Sequence, residues 1–184
     1  TAIHLGAPPV GAPMNPLALI VAIALSQQID GNAIVIDGDT LDINRHRIRL
    51  HGIDAPESSQ WCREADGGTW ACGEASTAYL VELVGQERVS CSIQDTDRYG
   101  RSIAICSARG VTLNEQMVRT GNALAYRQYS YDYADAEEEA ATERLGLWIG
   151  SFVAPWQWRR GERNEYVANT GTLEEDVAEF TDRN

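Results

Sequence analysis

Lysine is absent from this 184-residue chain; all fifteen basic residues are arginine, which the base composition of a genome is enough to explain. Against them stand 27 acids, for a formal charge of −12. A uniformly basic nucleic-acid-binding surface is therefore excluded. Long apolar runs are missing too. The longest, Leu17 to Leu25, has nine residues and is too short to span a bilayer as a helix. No segment repeats with a period of 20–50 residues, which argues against a solenoid or propeller. No Cys-x-x-Cys occurs, and His46 and His51 have no zinc-like spacing to a cysteine. What remains, at 43% hydrophobic and 23% charged, is an ordinary globular composition, long enough to bury a core in one domain.

The charge is unevenly placed. Asp132 to Glu143 carries six acids and no base, and Glu162 to Asn184 carries seven acids and two arginines. Asp37 to Ser130 is near balance, with thirteen acids and ten arginines. An anionic partner is thus disfavoured by the whole chain but not by its middle. Residues 1–27 read as an apolar leader, a signal or anchor segment, with Ala22 and Ala24 near a cleavage point and Met14-Asn-Pro-Leu offering a translation start. A short core helix or strand is the alternative. The domain is expected over 28–160. Residues 161–184 form an acidic tail, whose Thr172-Leu-Glu-Glu175 and helically spaced Leu173, Val177 and Phe180 predict a short docked helix.

Within the domain, Ala33 to Ile36, Leu41 to Ile43 and the strictly alternating Arg47-Ile-Arg-Leu-His51 predict a three-stranded meander that turns at Asn44-Arg45. Glu74 to Val84 predicts a helix. Arg88 to Gln94 and Ser102 to Cys106 predict a hairpin across Asp97-Arg-Tyr-Gly100. The capping-box pattern Thr112-Leu-Asn-Glu115 opens a second helix that Gly121 ends, and Asp132 to Leu145 is a third, its acids expected on a solvated face. Strands first, helices attached, point to a small α+β barrel. Four cysteines allow three pairings. The hairpin centre sets Cys91 opposite Cys106, and Cys62 and Cys72 bracket a short loop. Two disulfides are the favoured reading, with buried thiols or a metal site as alternatives; together with the leader they predict a secreted or periplasmic protein.

The chemistry gathers at one end of the meander. A turn at Asn44-Arg45 puts Asp39 beside Leu50 and therefore near Asp54, with Asp37 and Glu57 close by. Clustered carboxylates suit a hard cation, Ca2+ or Mg2+. Arg49, on the polar face of the third strand, and Arg101 can clamp a phosphate. Metal-binding carboxylates, a free carboxylate as base and two guanidinium clamps make a set of groups suited to phosphodiester hydrolysis.

The ordered motifs Val35-Ile-Asp-Gly-Asp-Thr40, Arg49-Leu-His-Gly-Ile-Asp-Ala-Pro-Glu57 and Asp97-Arg-Tyr-Gly-Arg101 resemble the staphylococcal nuclease (thermonuclease) family. Leu113-Asn-Glu115, Val118-Arg-Thr-Gly121, Tyr126 and Gly146-Leu-Trp148 continue the resemblance, which spans roughly 30–160. The cysteines and the ending Phe152 to Arg160 resemble a Cys-containing bacterial branch. The resemblance implies a five-stranded OB-type barrel with three helices and Ca2+-dependent cleavage of DNA and RNA that leaves 3′-phosphates. It implies that Asp39, Asp54 and the carbonyl of Ala55 ligate Ca2+, with Asp37 and Thr40 beside the metal. Glu57 would act on the attacking water, Arg49 and Arg101 on the phosphate, and Tyr99 and Tyr126 on the nucleotide, a structural role being the alternative for either tyrosine. The expected partner is single-stranded nucleic acid, and the expected state a monomer. Two rivals remain: a non-catalytic OB-type binding module, and a phosphodiesterase for a diester other than nucleic acid. Trp61 and Trp70 could stack on bases, but packing against the barrel is the favoured reading.

Overall fold

A computed structural model describes residues 27–163. The leader and the tail helix expected at Thr172 to Phe180 lie outside these residues. Strands β1 (Gln28–Asp37), β2 (Thr40–Ile43) and β3 (His46–Leu50) form the expected meander. Asn44 and Arg45 both have positive φ, 54° and 69°, the geometry of a tight two-residue hairpin turn. The Asp42 carboxylate accepts the Arg45 amide at 2.9 Å and stiffens that turn. Register follows: Thr40 pairs with Arg49, Leu41 with Ile48 and Ile43 with His46.

Two short pairs come next. β4 (Ile53–Asp54) pairs with β10 (Leu124–Ala125), and β5 (Cys62–Arg63) with β6 (Thr69–Trp70). Helix α1 (Cys72–Val84) leads to the hairpin β7 (Arg88–Thr96) and β8 (Ser102–Ala108). β7 pairs antiparallel with β1, and β8 runs parallel to β3, so β3-β2-β1-β7-β8 closes into a five-stranded OB-type barrel. β9 (Val111–Thr112) extends the β8 edge, and α2 (Leu113–Arg119) and α3 (Ala134–Thr142) follow. A 3-10 turn (Gly146–Ile149) and a short fourth helix, α4 (Pro155–Arg159), complete the described chain. Among the described residues no helix is long and apolar enough to cross a membrane.

The alternating residues of the meander fill the barrel: Leu41, Ile43, Ile48 and Leu50 are buried with Val89 and Met117. A second cluster joins the Cys62–Cys72 loop to the C-terminal segment through Leu124, Leu147, Trp148 and Ala154, with Trp70 and Phe152 packed against it. Both expected disulfides are present, Cys62–Cys72 with Cα atoms 5.6 Å apart and Cys91–Cys106 at 4.1 Å. The closer spacing is that of a non-hydrogen-bonded antiparallel pair, and Cys91 does face Cys106 in register. Asn114 ties α2 to the barrel: its amide oxygen accepts the Cys106 N–H at 2.9 Å, and its amide nitrogen donates to the His51 and Ala104 carbonyls at 2.9 and 3.1 Å.

Three expectations need correction. Thr112 precedes α2 as predicted but makes no side-chain cap; Glu115 turns instead to Arg119 at 2.7 Å, because an ion pair one turn along is available. The acids of α3 are not all solvated. Glu137 is buried and accepts the Ala125 amide at 2.9 Å and the Arg127 guanidinium at 3.0 Å, so its charge is compensated where the helix meets β10. Trp70 packs as expected, whereas Trp61 is 53% exposed.

Candidate active site

The site forms where β2, β3 and β4 end together. Because the β2–β3 hairpin is tight, the residue before β2 meets the last of β3: the Leu50 amide donates to the Asp39 carbonyl at 2.8 Å. β3 then turns through Gly52 into β4, and pairing with β10 fixes Asp54 opposite Leu124. Asp39 and Asp54 are both buried. One guanidinium joins them. Arg49 Nη2 lies 2.9 Å from Asp39 Oδ2 and 2.5 Å from Asp54 Oδ1, and Nη1 donates to Asp39 Oδ1 at 3.1 Å. Asp39 also accepts the Thr40 hydroxyl at 3.0 Å and the Ala55 amide at 3.2 Å. Asp37 sits behind it, its carboxylate accepting the Asp39 amide at 3.1 Å.

Glu57 is presented at the rim on the turn after Pro56. Its amide donates to the Gln60 side chain at 3.2 Å, and its carbonyl accepts the Gln60 amide at 2.7 Å. The first turn of α1 presses on this loop so closely that a Cβ on Gly73 would lie 1.8 Å from the Glu57 carbonyl oxygen, so only glycine fits there. The Glu57 side chain keeps 40% of its surface in solvent, enough for water to reach it.

Burial is the largest effect on Asp39. With the nearby charges of Asp54 and Asp37 it outweighs the opposing Arg49 and the Ala55 hydrogen bond, and pushes the Asp39 carboxyl up to about 7. Burial pulls Arg49 the other way, yet Asp39 and Asp54 together hold its guanidinium above the usual arginine value. Burial and the Asp54 charge raise the Tyr126 phenol.

Of the residues singled out in the sequence, Asp37, Asp39, Thr40, Arg49, Asp54, Ala55 and Glu57 therefore come together. Arg101 stands on the neighbouring strand edge, just before Ser102 pairs with Ile48. Its guanidinium is held by Asp97 at 2.7 Å and lies 5.8 Å from the Tyr99 ring centroid. Tyr99 itself is 73% exposed at the hairpin tip. Tyr126 follows β10 and is built into an aromatic group: its ring stacks on Trp156 at 5.3 Å, nearly parallel, and meets Tyr129 edge-on at 4.9 Å.

Two residues of the site have no counterpart in the sequence reading. Arg159, from the end of α4, reaches in from 105 residues away. Its Nη2 donates to Asp54 Oδ2 at 2.7 Å, and its Nη1 donates to Asp54 Oδ1 at 3.0 Å and Glu57 Oε1 at 2.8 Å. Burial lowers its pKa, but the hydrogen bonds and charges of Asp54 and Glu57 override that and raise it. Gln60 is the other. Besides accepting the Glu57 amide, it donates to the Val153 carbonyl at 2.7 Å and so anchors the segment that leads into α4. Neither residue carries a local signal: one arginine beside another in Pro155-Trp-Gln-Trp-Arg-Arg160 and one glutamine in a polar loop look like surface positions.

Among the described residues no three His, Cys, Asp or Glu side chains are already gathered as a metal-ligand cluster. The donor set nevertheless suits a hard cation. One Arg49 nitrogen lies within 2.9 Å of oxygens from both Asp39 and Asp54, so the two carboxylates stand close enough to share one cation. Among the described residues, the four carboxylates of Asp37, Asp39, Asp54 and Glu57 are met by two guanidinium groups, those of Arg49 and Arg159. With Asp39 ionised, as a bound cation would favour, the formal excess of two negative charges matches one divalent ion, with Ala55 and water as further oxygen donors.

Residues 47–150 match the model of the staphylococcal nuclease homologue family. A micrococcal nuclease of Shigella flexneri is 34% identical over 170 residues, covering 80% of this chain and 90% of that protein. An uncharacterized endonuclease of Haemophilus influenzae is 35% identical over 154 residues, covering 79% and 81%. A succinoglycan biosynthesis protein, ExoI, of Rhizobium meliloti is 32% identical over 142 residues, covering 76% and 74%.

Proposed function

Because the chain belongs to the staphylococcal nuclease homologue family, we propose that it is a Ca2+-dependent nuclease that hydrolyses phosphodiesters of DNA and RNA without regard to the sugar and leaves 3′-phosphates. The observation that carries this reading is the convergence of Asp39 and Asp54 on Arg49, with the water-accessible Glu57 at the rim. Asp39, Asp54 and the carbonyl of Ala55 would hold the cation, which when bound supplies positive charge against the phosphate being cleaved. Asp37 and Thr40 keep Asp39 oriented. Glu57 takes a proton from the water that attacks phosphorus. Arg49, already fixed between two carboxylates, and Arg101 take up the charge that develops on the phosphoryl oxygens. The bond from phosphorus to the 5′ oxygen breaks, that oxygen takes a proton from solvent water to leave as a hydroxyl, and the phosphate stays on the 3′ side. Tyr99, exposed beside two arginines, offers a base-stacking surface that tolerates any base, and the substrate is expected as a single strand. Tyr126, already stacked on Trp156, contributes its hydroxyl edge. The protein acts as a monomer and, with two disulfides, belongs in an oxidising compartment, secreted or periplasmic, with the leader as signal or anchor.

The test is digestion of single-stranded DNA at low salt, with Ca2+ and with chelator, by wild type and Glu57→Ala. Ca2+-dependent cleavage that falls about 100-fold or more in the variant supports the reading. Intact DNA in every lane, with folded protein, refutes it. A second reading, hydrolysis of a diester other than nucleic acid, draws on the net charge of −12 and on the relative named for succinoglycan biosynthesis. It predicts turnover of a small diester with no loss of DNA or RNA.

A further inference from the structure

Arg159 is the group that the proposed reaction leaves unused. It lies beyond the stretch matched by the family model, which ends at 150, and it reaches the site from a helix that spans only Pro155–Arg159. Its fork takes both oxygens of Asp54, at 2.7 and 3.0 Å, and its Nη1 bridges to Glu57 at 2.8 Å. Asp54 is 0% exposed, and its Oδ1 is already held by Arg49. Both oxygens of this carboxylate are therefore occupied by guanidinium groups. Asp39 is no more open, since it is held by Arg49, Thr40 and Ala55. A cation that takes Asp54 as a ligand must displace one of these partners. Arg49 is rooted in the barrel wall on β3, with its side chain 19% exposed. Arg159 hangs from a helix end, is 37% exposed and can swing outward without disturbing a strand. The backbone beneath need not follow, because Gln60 fixes Val153 and the Gln157 side chain caps α4 by accepting the Ala154 amide at 3.2 Å.

We infer that Arg159 is the internal counter-ion of this site: it holds the face of Asp54 that a divalent cation would take, keeps Asp54 and Glu57 in place until the cation arrives, and sets the cation affinity by having to leave. The inference rests on the metal-dependent reading above. It makes Arg159 a positioning residue with an unusual signature. Removing a structural arginine should weaken cation binding, whereas removing a competitor should strengthen it.

The experiment is calorimetric titration of the 184-residue protein with Ca2+, comparing wild type, Arg159→Gln and Arg159→Lys, alongside urea denaturation of each in chelator and in saturating Ca2+. Circular dichroism establishes that the variants are folded. Arg159→Gln is expected to bind Ca2+ about tenfold or more tightly than wild type, as loss of one contacting positive charge implies. It should also be less stable than wild type in chelator and gain more from Ca2+. Arg159→Lys, which keeps the charge but not the fork, should fall between them. Wild type that binds Ca2+ while Arg159→Gln binds it equally or more weakly overturns the inference and leaves the metal-dependent reading intact. No saturable binding to either protein overturns both.

Discussion

Replacing Gln60 tests how Glu57 is held. This side chain is 1% exposed and makes two hydrogen bonds to backbone that nothing else in its loop replaces: it accepts from the Glu57 amide and donates to the Val153 carbonyl. Gln60→Ala orphans one donor and one acceptor. At about 1 kcal/mol each, the low end for an orphaned group, they cost about 2 kcal/mol. Losing one buried methylene adds about 0.8 kcal/mol, for a total of about 3 kcal/mol. With a urea slope of about 2 kcal/mol per molar, the midpoint should fall by about 1.5 M at unchanged slope. Gln60→Glu keeps the shape and the acceptor but points a carboxylate at the Val153 carbonyl, so it should be at least as destabilised. Under conditions where both variants remain folded, kcat on single-stranded DNA should also fall, since the loop presenting Glu57 and the segment leading into α4 lose their common anchor. A midpoint for Gln60→Ala within about 0.3 M of wild type, or wild-type stability for Gln60→Glu, would refute the reasoning.

Other outcomes follow from the same structure. Asn114→Leu removes the partner of the buried Cys106 amide and of the His51 carbonyl, and should cost about 3 kcal/mol in urea denaturation while α2 keeps its helical circular dichroism. Replacing Cys62 and Cys72 together by alanine should cost about 3 kcal/mol from the unfolded-state loop, and Cys91 with Cys106 slightly more because that loop is longer, with lost packing adding to both buried pairs. In chelator, stability should fall as pH rises. Burial raises the folded Asp39 carboxyl from its ordinary 3.8 to about 7, so the native state holds a proton that the unfolded chain releases. That advantage is complete below about pH 4 and lost as pH climbs through about 7. Melting temperatures measured from pH 5 to 8 should show this slope in wild type and a flatter one in Asp39→Asn.

Much of the site was legible because its parts are close in sequence. Asn44-Arg45 announces a two-residue turn, the turn sets the β2–β3 register, and the register alone puts Asp39 beside Leu50 and Arg49 on the same strand end. The Cys91–Cys106 pairing follows in the same way from the position of one hairpin turn. Alternation along β3 separates Ile48 and Leu50, which enter the core, from Arg49, which faces the site. Motif order carried the family resemblance, and with it the closed barrel.

Other features required contacts that no local pattern encodes. Thr112 and Glu115 have the spacing of a capping box, but Arg119 one turn away offered Glu115 a charged partner instead. Glu137 looks like one acid among several on α3, yet packing against β10 buries it and pairs it with Arg127. Periodicity reports which face of an element turns inward, but not which polar side chain will meet a partner there. The sequence by itself determined the turns, the strand register and the cluster of carboxylates around Arg49, because backbone sterics and a two-residue period act over a few residues. Only the tertiary structure decided that Gln60 would link Glu57 to Val153 and that Arg159 would close over Asp54, because those contacts span 93 and 105 residues and exist only once the barrel has closed and the C-terminal segment has packed on the Cys62–Cys72 loop.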